Sequence, residues 1–151
     1  MLLAIPARAA DLRSTSDPKQ IAKAFPAKSQ ARVVNIWATW CAPCVAELPD
    51  LRAVDDAFGD EVSIVGVSLD DMIPDTKPAN VSAFLDKQKV RWPNFYFTGQ
   101  LDPLADHYKF DGSIPITIVF DANNREVWRS NGQIKKDETI ARLREILRRK
   151  R

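Results

Sequence analysis

Cys41 and Cys44 are the only cysteines in the 151-residue chain, and Ala42 and Pro43 separate them. That spacing brings two thiols together within one helical turn and is characteristic of redox dithiols. A structural zinc site needs about four Cys or His ligands, and the chain offers two Cys and a single histidine, His107. A scaffold of structural disulfides uses more cysteines at longer intervals. The residues therefore leave two readings, a redox dithiol or a bland pair of core thiols.

The surrounding pattern favours the dithiol. Val33-Val34-Asn35-Ile36-Trp37 is β-branched and uncharged, which predicts a buried strand. Cys44, Val45, Leu48, Leu51, Val54 and Phe58 recur at three- and four-residue steps, which predicts a helix from about 42 to 57 ended by Gly59. The cysteines thus sit between the end of a strand and the first turn of a helix. Unpaired N–H groups and the helix dipole there favour an anion, so the Cys41 thiolate is stabilised. Its pKa is expected below the free value of about 8.5. Pro43 is tolerated because the first helical turn needs few backbone donors. Attack by Cys41 would give a mixed disulfide, and Cys44, one turn on and facing the core, would resolve it.

The remaining elements must hold this junction. Asp17-Pro18 with Ile21, Ala22 and Phe25 predicts a short amphipathic helix. Residues 62–69 read as a second strand, 70–78 as an irregular acidic loop, and Val81, Phe84 and Leu85 as a short helix. Phe95-Tyr96-Phe97 reads as a brief extended piece, and Leu101, Leu104, Ala105 and Tyr108 as another helix. Residues 116–120 and 126–130 form a hairpin, and a final helix starts near Lys136. The order implies a mixed α/β sheet with helices on both faces.

Composition narrows the class. The hydrophobic share of 45% and charged share of 28% describe an ordinary soluble globular domain. A net charge of +2 gives no reason to expect nucleic acid or an anionic membrane as partner. Arg148-Arg149-Lys150-Arg151 reads as the solvated basic end of a helix. Asp70, Asp71 and Asp75 lack the ligand spacing and glycine of a calcium loop, and His107 reads as structural. No metal or other cofactor is expected. Leu2-Leu3-Ala4-Ile5 followed by Ala7-Arg8-Ala9 has the form of the end of a secretion signal. Residues 1–10 are read as a signal remnant and 11–151 as one domain.

Asn35-Ile36-Trp37-Ala38-Thr39-Trp40-Cys41-Ala42-Pro43-Cys44 resembles the active-site segment of thioredoxin-fold proteins, and Glu47-Leu48-Pro49 after it is similar to the TlpA/ResA-like branch of bacterial extracytoplasmic thiol–disulfide oxidoreductases. The likeness runs from about Val33 to the C-terminal helix. It implies a thioredoxin-like fold: a central mixed β-sheet flanked by helices, with a helix-plus-strand insertion around residues 72–100. Ser113-Ile114-Pro115 resembles the cis-proline loop that lies against the dithiol. The resemblance places Trp40, Ala42, Pro43, Ile114 and Pro115 along the substrate groove. Asn35 stands where thioredoxins have a buried acid, and an amide cannot take a proton. Glu47 matches the acid of the TlpA/ResA-like branch and would accept the Cys44 proton instead; its alternative is a solvated first-turn acid. Ile116-Thr117 departs from the family, which places a small hydroxyl residue directly after the proline.

The expectation is a periplasmic or otherwise extracytoplasmic oxidoreductase acting on protein disulfides. Reduction is favoured, because Ala42-Pro43 lacks the histidine with which oxidants of this fold stabilise the thiolate. The resemblance implies secreted clients such as apocytochrome c and a membrane-bound electron donor, and a monomer is expected. Two rivals remain: a Cu(I)-binding module using the same two thiolates, and a redox-silent thioredoxin-like interaction domain.

Overall fold

A computed structural model describes residues 9–149. The signal remnant read into residues 1–10 lies outside the described residues except for Ala9 and Ala10, as do the last two residues of the basic C-terminus. The Ala10 amide donates to Asp86 Oδ1 at 2.7 Å.

Among the described residues six strands form one mixed sheet: β1 Leu12–Thr15, β2 Ala31–Trp37, β3 Val62–Ser68, β4 Asn94–Phe97, β5 Ile116–Asp121 and β6 Glu126–Asn131. Their order is β1-β4-β3-β2-β5-β6. The first four in that order are parallel, and β5 and β6 join antiparallel. β2 sits at the centre with Val33 to Trp37 almost wholly buried, which is why it reads as an uncharged run that only Asn35 keeps from being wholly apolar. Five α-helices accompany the sheet: α1 Ala42–Ala46, α2 Leu48–Phe58, α3 Pro78–Lys87, α4 Leu101–Tyr108 and α5 Lys136–Arg148. The expected thioredoxin-like architecture is present, and α3 with β4 supplies the helix-plus-strand insertion.

Three local differences have physical causes. The helix expected over 42–57 is split at Glu47, which caps α1 and starts α2. Pro49 has no N–H to return to the Val45 carbonyl, so the regular bonding of α1 ends with the Glu47 amide donating to the Pro43 carbonyl at 3.2 Å. The segment after Asp17 is a 3-10 helix, Pro18–Ala24, capped by Asp17 through the Lys19 amide at 3.0 Å. β1 was not expected: only four residues long and half exposed, it exists because it pairs with β4 some eighty positions away. His107 is exposed in the last turn of α4, with its ring edge-on to Tyr108.

The topology concentrates chemistry at one edge. β2 and β3 are parallel, so the loops leaving both emerge together, and loops at carboxyl ends of parallel strands are where α/β sheets bind ligands. β5 is antiparallel to β2 with Ile116 opposite Ile36, so the chain entering β5 reaches the same edge.

Candidate active site

The strand β2 ends at Trp37, and four residues later the chain turns into α1. Cys41 is the N-cap of that helix, with extended backbone at φ −97° and ψ 104°. It is joined to Cys44 by a disulfide with the two Cα atoms 5.2 Å apart. The Cys44 amide points at Cys41 Sγ at 3.3 Å. This is one of the unpaired N–H groups of the first helical turn, held where it would stabilise a Cys41 thiolate once the disulfide opens. Cys41 retains a little exposure and Cys44 none. Ala42 and Pro43 are both exposed on the outer side of the turn.

The loop before β5 closes over Cys41. Cys41 Sγ lies 3.8 Å from the Ile114 carbonyl oxygen. In the disulfide that sulfur carries no proton, so this is a contact; the reduced thiol has an acceptor in line. The Ile114–Pro115 bond is cis, as the resemblance implied. Beyond it opens a groove of about 560 Å³ lined by Phe110, Ile114, Pro115, Arg129 and Gly132 among others. Trp40, directly before Cys41 in the chain, is 51% exposed. Trp37 and Trp92 are core residues and Trp128 is partly buried against the core.

Glu47 is not a solvated acid. It is fully buried, on the same inward side of the broken helix as Cys44 three residues earlier. Asn35 Nδ2 donates to Oε1 at 2.8 Å and the Ile134 amide to Oε2 at 2.9 Å. Burial raises its pKa from 4.5 to about 7; these two bonds oppose the rise, and Asp50 adds to it slightly. Asn35 also donates to Thr117 Oγ1 at 3.2 Å, so the hydroxyl that departs from the family pattern belongs to the same buried network.

Asp70 was set aside in the sequence as one member of an acidic loop. The structure makes it the tie between the two functional loops. It is fully buried, and its oxygens take the Thr39 amide at 3.1 and 3.2 Å, the Thr39 hydroxyl, and the Ser68 hydroxyl at 2.5 Å. Thr39 is two residues before Cys41. An acid directly after the uncharged run of residues 62–69, with serine at the second position back, was the available sequence signal. Asn94, also unforeseen, accepts the Trp37 indole N–H at 2.8 Å.

The Redoxin family matches residues 4–147 of the chain. The thiol-disulfide oxidoreductase ResA of Oceanobacillus iheyensis is 32% identical over 92 residues, covering 60% of this chain and 44% of the relative. The sporulation thiol-disulfide oxidoreductase A of Bacillus subtilis is 31% identical over 70 residues, covering 46% of this chain and 41% of the relative. The chain spans less than half the length of these curated relatives. Among solved structures, a thioredoxin-family thiol:disulfide interchange protein from Chlorobium tepidum superposes with a TM-score of 0.66 at 22% identity, covering 93% of this chain and 98% of that one. That likeness concerns the fold alone. With the dithiol at a helix start beside the loop of Pro115, and a family match across nearly the whole chain, the chain belongs to the Redoxin family as a thioredoxin-fold protein of the TlpA/ResA-like type.

Proposed function

We propose that the chain is a thiol–disulfide oxidoreductase that reduces disulfides of protein clients outside the cytoplasm. The observation that carries the reading is the placement of Cys41: N-cap of a helix, slightly exposed, with the Cys44 amide aimed at its sulfur. In the reduced protein the Cys41 thiolate attacks one sulfur of the client disulfide. A bond forms between Cys41 Sγ and that sulfur while the client bond breaks, and the second client sulfur leaves as a thiolate. Cys44 then gives its proton to Glu47 and attacks Cys41 Sγ. The client departs with two electrons and the Cys41–Cys44 disulfide remains. A carboxyl with a pKa of about 7 suits this step, since near neutrality both its forms are populated.

Trp40, Ala42, Pro43, Ile114 and Pro115 line the approach to Cys41 in this reading. A membrane-bound donor returns the electrons, the protein works as a monomer, and a secreted client such as apocytochrome c fits the TlpA/ResA-like type. The form of residues 1–10 supports export, with 11–151 as the working domain. Among the described residues no helix is long and apolar enough to cross a membrane.

The test is trapping. Cys44→Ser should accumulate mixed disulfides with client proteins, because nothing remains to resolve them, and Cys41→Ser should trap few. Equal trapping by both would overturn the order of attack. A reduction potential near about −270 mV supports a reductase, and one near about −120 mV would make the protein an oxidant. Tight Cu(I) binding without disulfide exchange would assign the thiolates to metal, and neither activity would leave an interaction domain.

A further inference from the structure

Among the described residues four large apolar side chains are exposed: Trp40, Met72, Ile73 and Val127. Val127 lies on the edge strand β6. The other three share the edge of the sheet that holds the dithiol. The Leu69 amide donates to the Trp37 carbonyl at 2.9 Å, and Asp70 takes the Thr39 amide, so the loop after β3 is fastened to the loop that ends in Cys41. The Met72 amide then donates to the Leu69 carbonyl and the Ile73 amide to the Asp70 carbonyl, each at 3.1 Å. On the far side the buried Tyr96 holds the same loop, its hydroxyl 3.2 Å from Asp71 Oδ1 and 2.9 Å from the Thr76 carbonyl. The loop is tied at both ends and still turns Met72 and Ile73 to solvent. Exposed apolar side chains gathered at one place mark a binding surface more often than scattered ones do.

We propose that Trp40, Met72 and Ile73 form a lip beside Cys41 that docks an extended client segment, one with an apolar side chain and a lysine or arginine next to its disulfide cysteine. The proposal deepens the exchange reaction above and rests on it. The occupant follows from position: Cys41 reacts only with a sulfur carried to it, so the chain bearing that sulfur is what crosses the lip. Its charge follows from the carboxylates flanking the two apolar residues, Asp71 and Asp75, both exposed. Lys77 stands beyond them at the start of α3. A cation beside the client cysteine is therefore drawn to the lip, and an anion is repelled.

The experiment compares three substrates of the reduced, full chain. They are hydroxyethyl disulfide, a peptide disulfide with Phe-Lys beside its cysteine, and the same peptide with Phe-Glu. The lysine peptide should react about tenfold faster than the glutamate peptide at low salt, with the preference shrinking as salt screens it. Met72→Gln with Ile73→Gln should lower the ratio of peptide rate to hydroxyethyl disulfide rate by about tenfold, through lost apolar burial. Asp75→Lys, which leaves the Tyr96–Asp71 contact in place, should reduce or reverse the preference for lysine. Equal peptide rates, or ratios unmoved by these variants, would overturn the lip while leaving the oxidoreductase reading intact. Failure to reduce any of the three would remove both. Self-association abolished by the Met72 and Ile73 changes would assign the surface to a second copy of the chain and overturn the proposal.

Discussion

Asn35 and Glu47 are bonded side chain to side chain at 2.8 Å, with both residues shut off from solvent. The pair joins the central strand to the break between α1 and α2. It gives Glu47 two donors, Asn35 and the Ile134 amide, but no cation. Burial therefore dominates, and the carboxyl titrates near neutrality rather than near 4.5.

Stability should follow that titration. Between pH 4.5 and about 7 the folded chain holds a proton that the unfolded chain has released. Stability from this group is thus complete below the unfolded value and falls as pH rises through the window, by about 3 kcal/mol in all. Glu47→Gln should flatten this part of the pH profile when oxidised wild type and variant are compared by urea unfolding. Parallel profiles would show that Glu47 does not titrate there. In the reduced protein the same variant should slow disulfide exchange by about 10²-fold, as loss of a general base does. The thiol titration should also move to lower pH, since a neighbouring negative charge has gone.

Asp70→Asn tests the tie beneath the loop that leads to Cys41. An amide group keeps one acceptor oxygen, but its NH₂ faces donors, and the Thr39 N–H cannot turn round to accept. A loss of about 2 kcal/mol is expected, within the range for leaving a buried donor unmet. Amide hydrogen exchange at Thr39 should quicken at the same time. Unchanged stability together with unchanged protection at Thr39 would show that the loop is held by other contacts.

Gly66→Ala tests a close approach inside the sheet. A Cβ at Gly66 would run into the side chain of Asn94, which is held by the Trp37 indole and by its own bond to the Trp92 carbonyl at 3.3 Å. Overpacking of this kind costs about 1–3 kcal/mol. The Trp37 indole N–H resonance should shift as Asn94 moves aside. A variant as stable as the parent, with that resonance in place, would mean the sheet has more slack than the structure allows.

The sequence by itself determined the parts of the protein that local pattern can encode. Residues 33–37 are apolar apart from Asn35, and all are buried because β2 is covered on both faces, so the strand is legible without its neighbours. The Cys41–Cys44 spacing, placed between that strand and a helical pattern, was enough to read the dithiol and its chemistry. Pro115 and Glu47 could be singled out only through resemblance, since a lone X-Pro or a first-turn acid has many meanings. Tertiary structure decided the rest. β1 exists through a partner far along the chain, and its own residues barely alternate. Whether Glu47 is solvated or buried depends on Asn35 and Ile134, which lie 12 and 87 positions away. Asp70 looked like one acid among three, and only the meeting of the loops after β2 and β3 singled it out as the residue that holds Thr39. Burial and hydrogen-bond partners are properties of which segments meet, and charges acquire their roles from those meetings, whereas strand and helix periodicity is written along the chain.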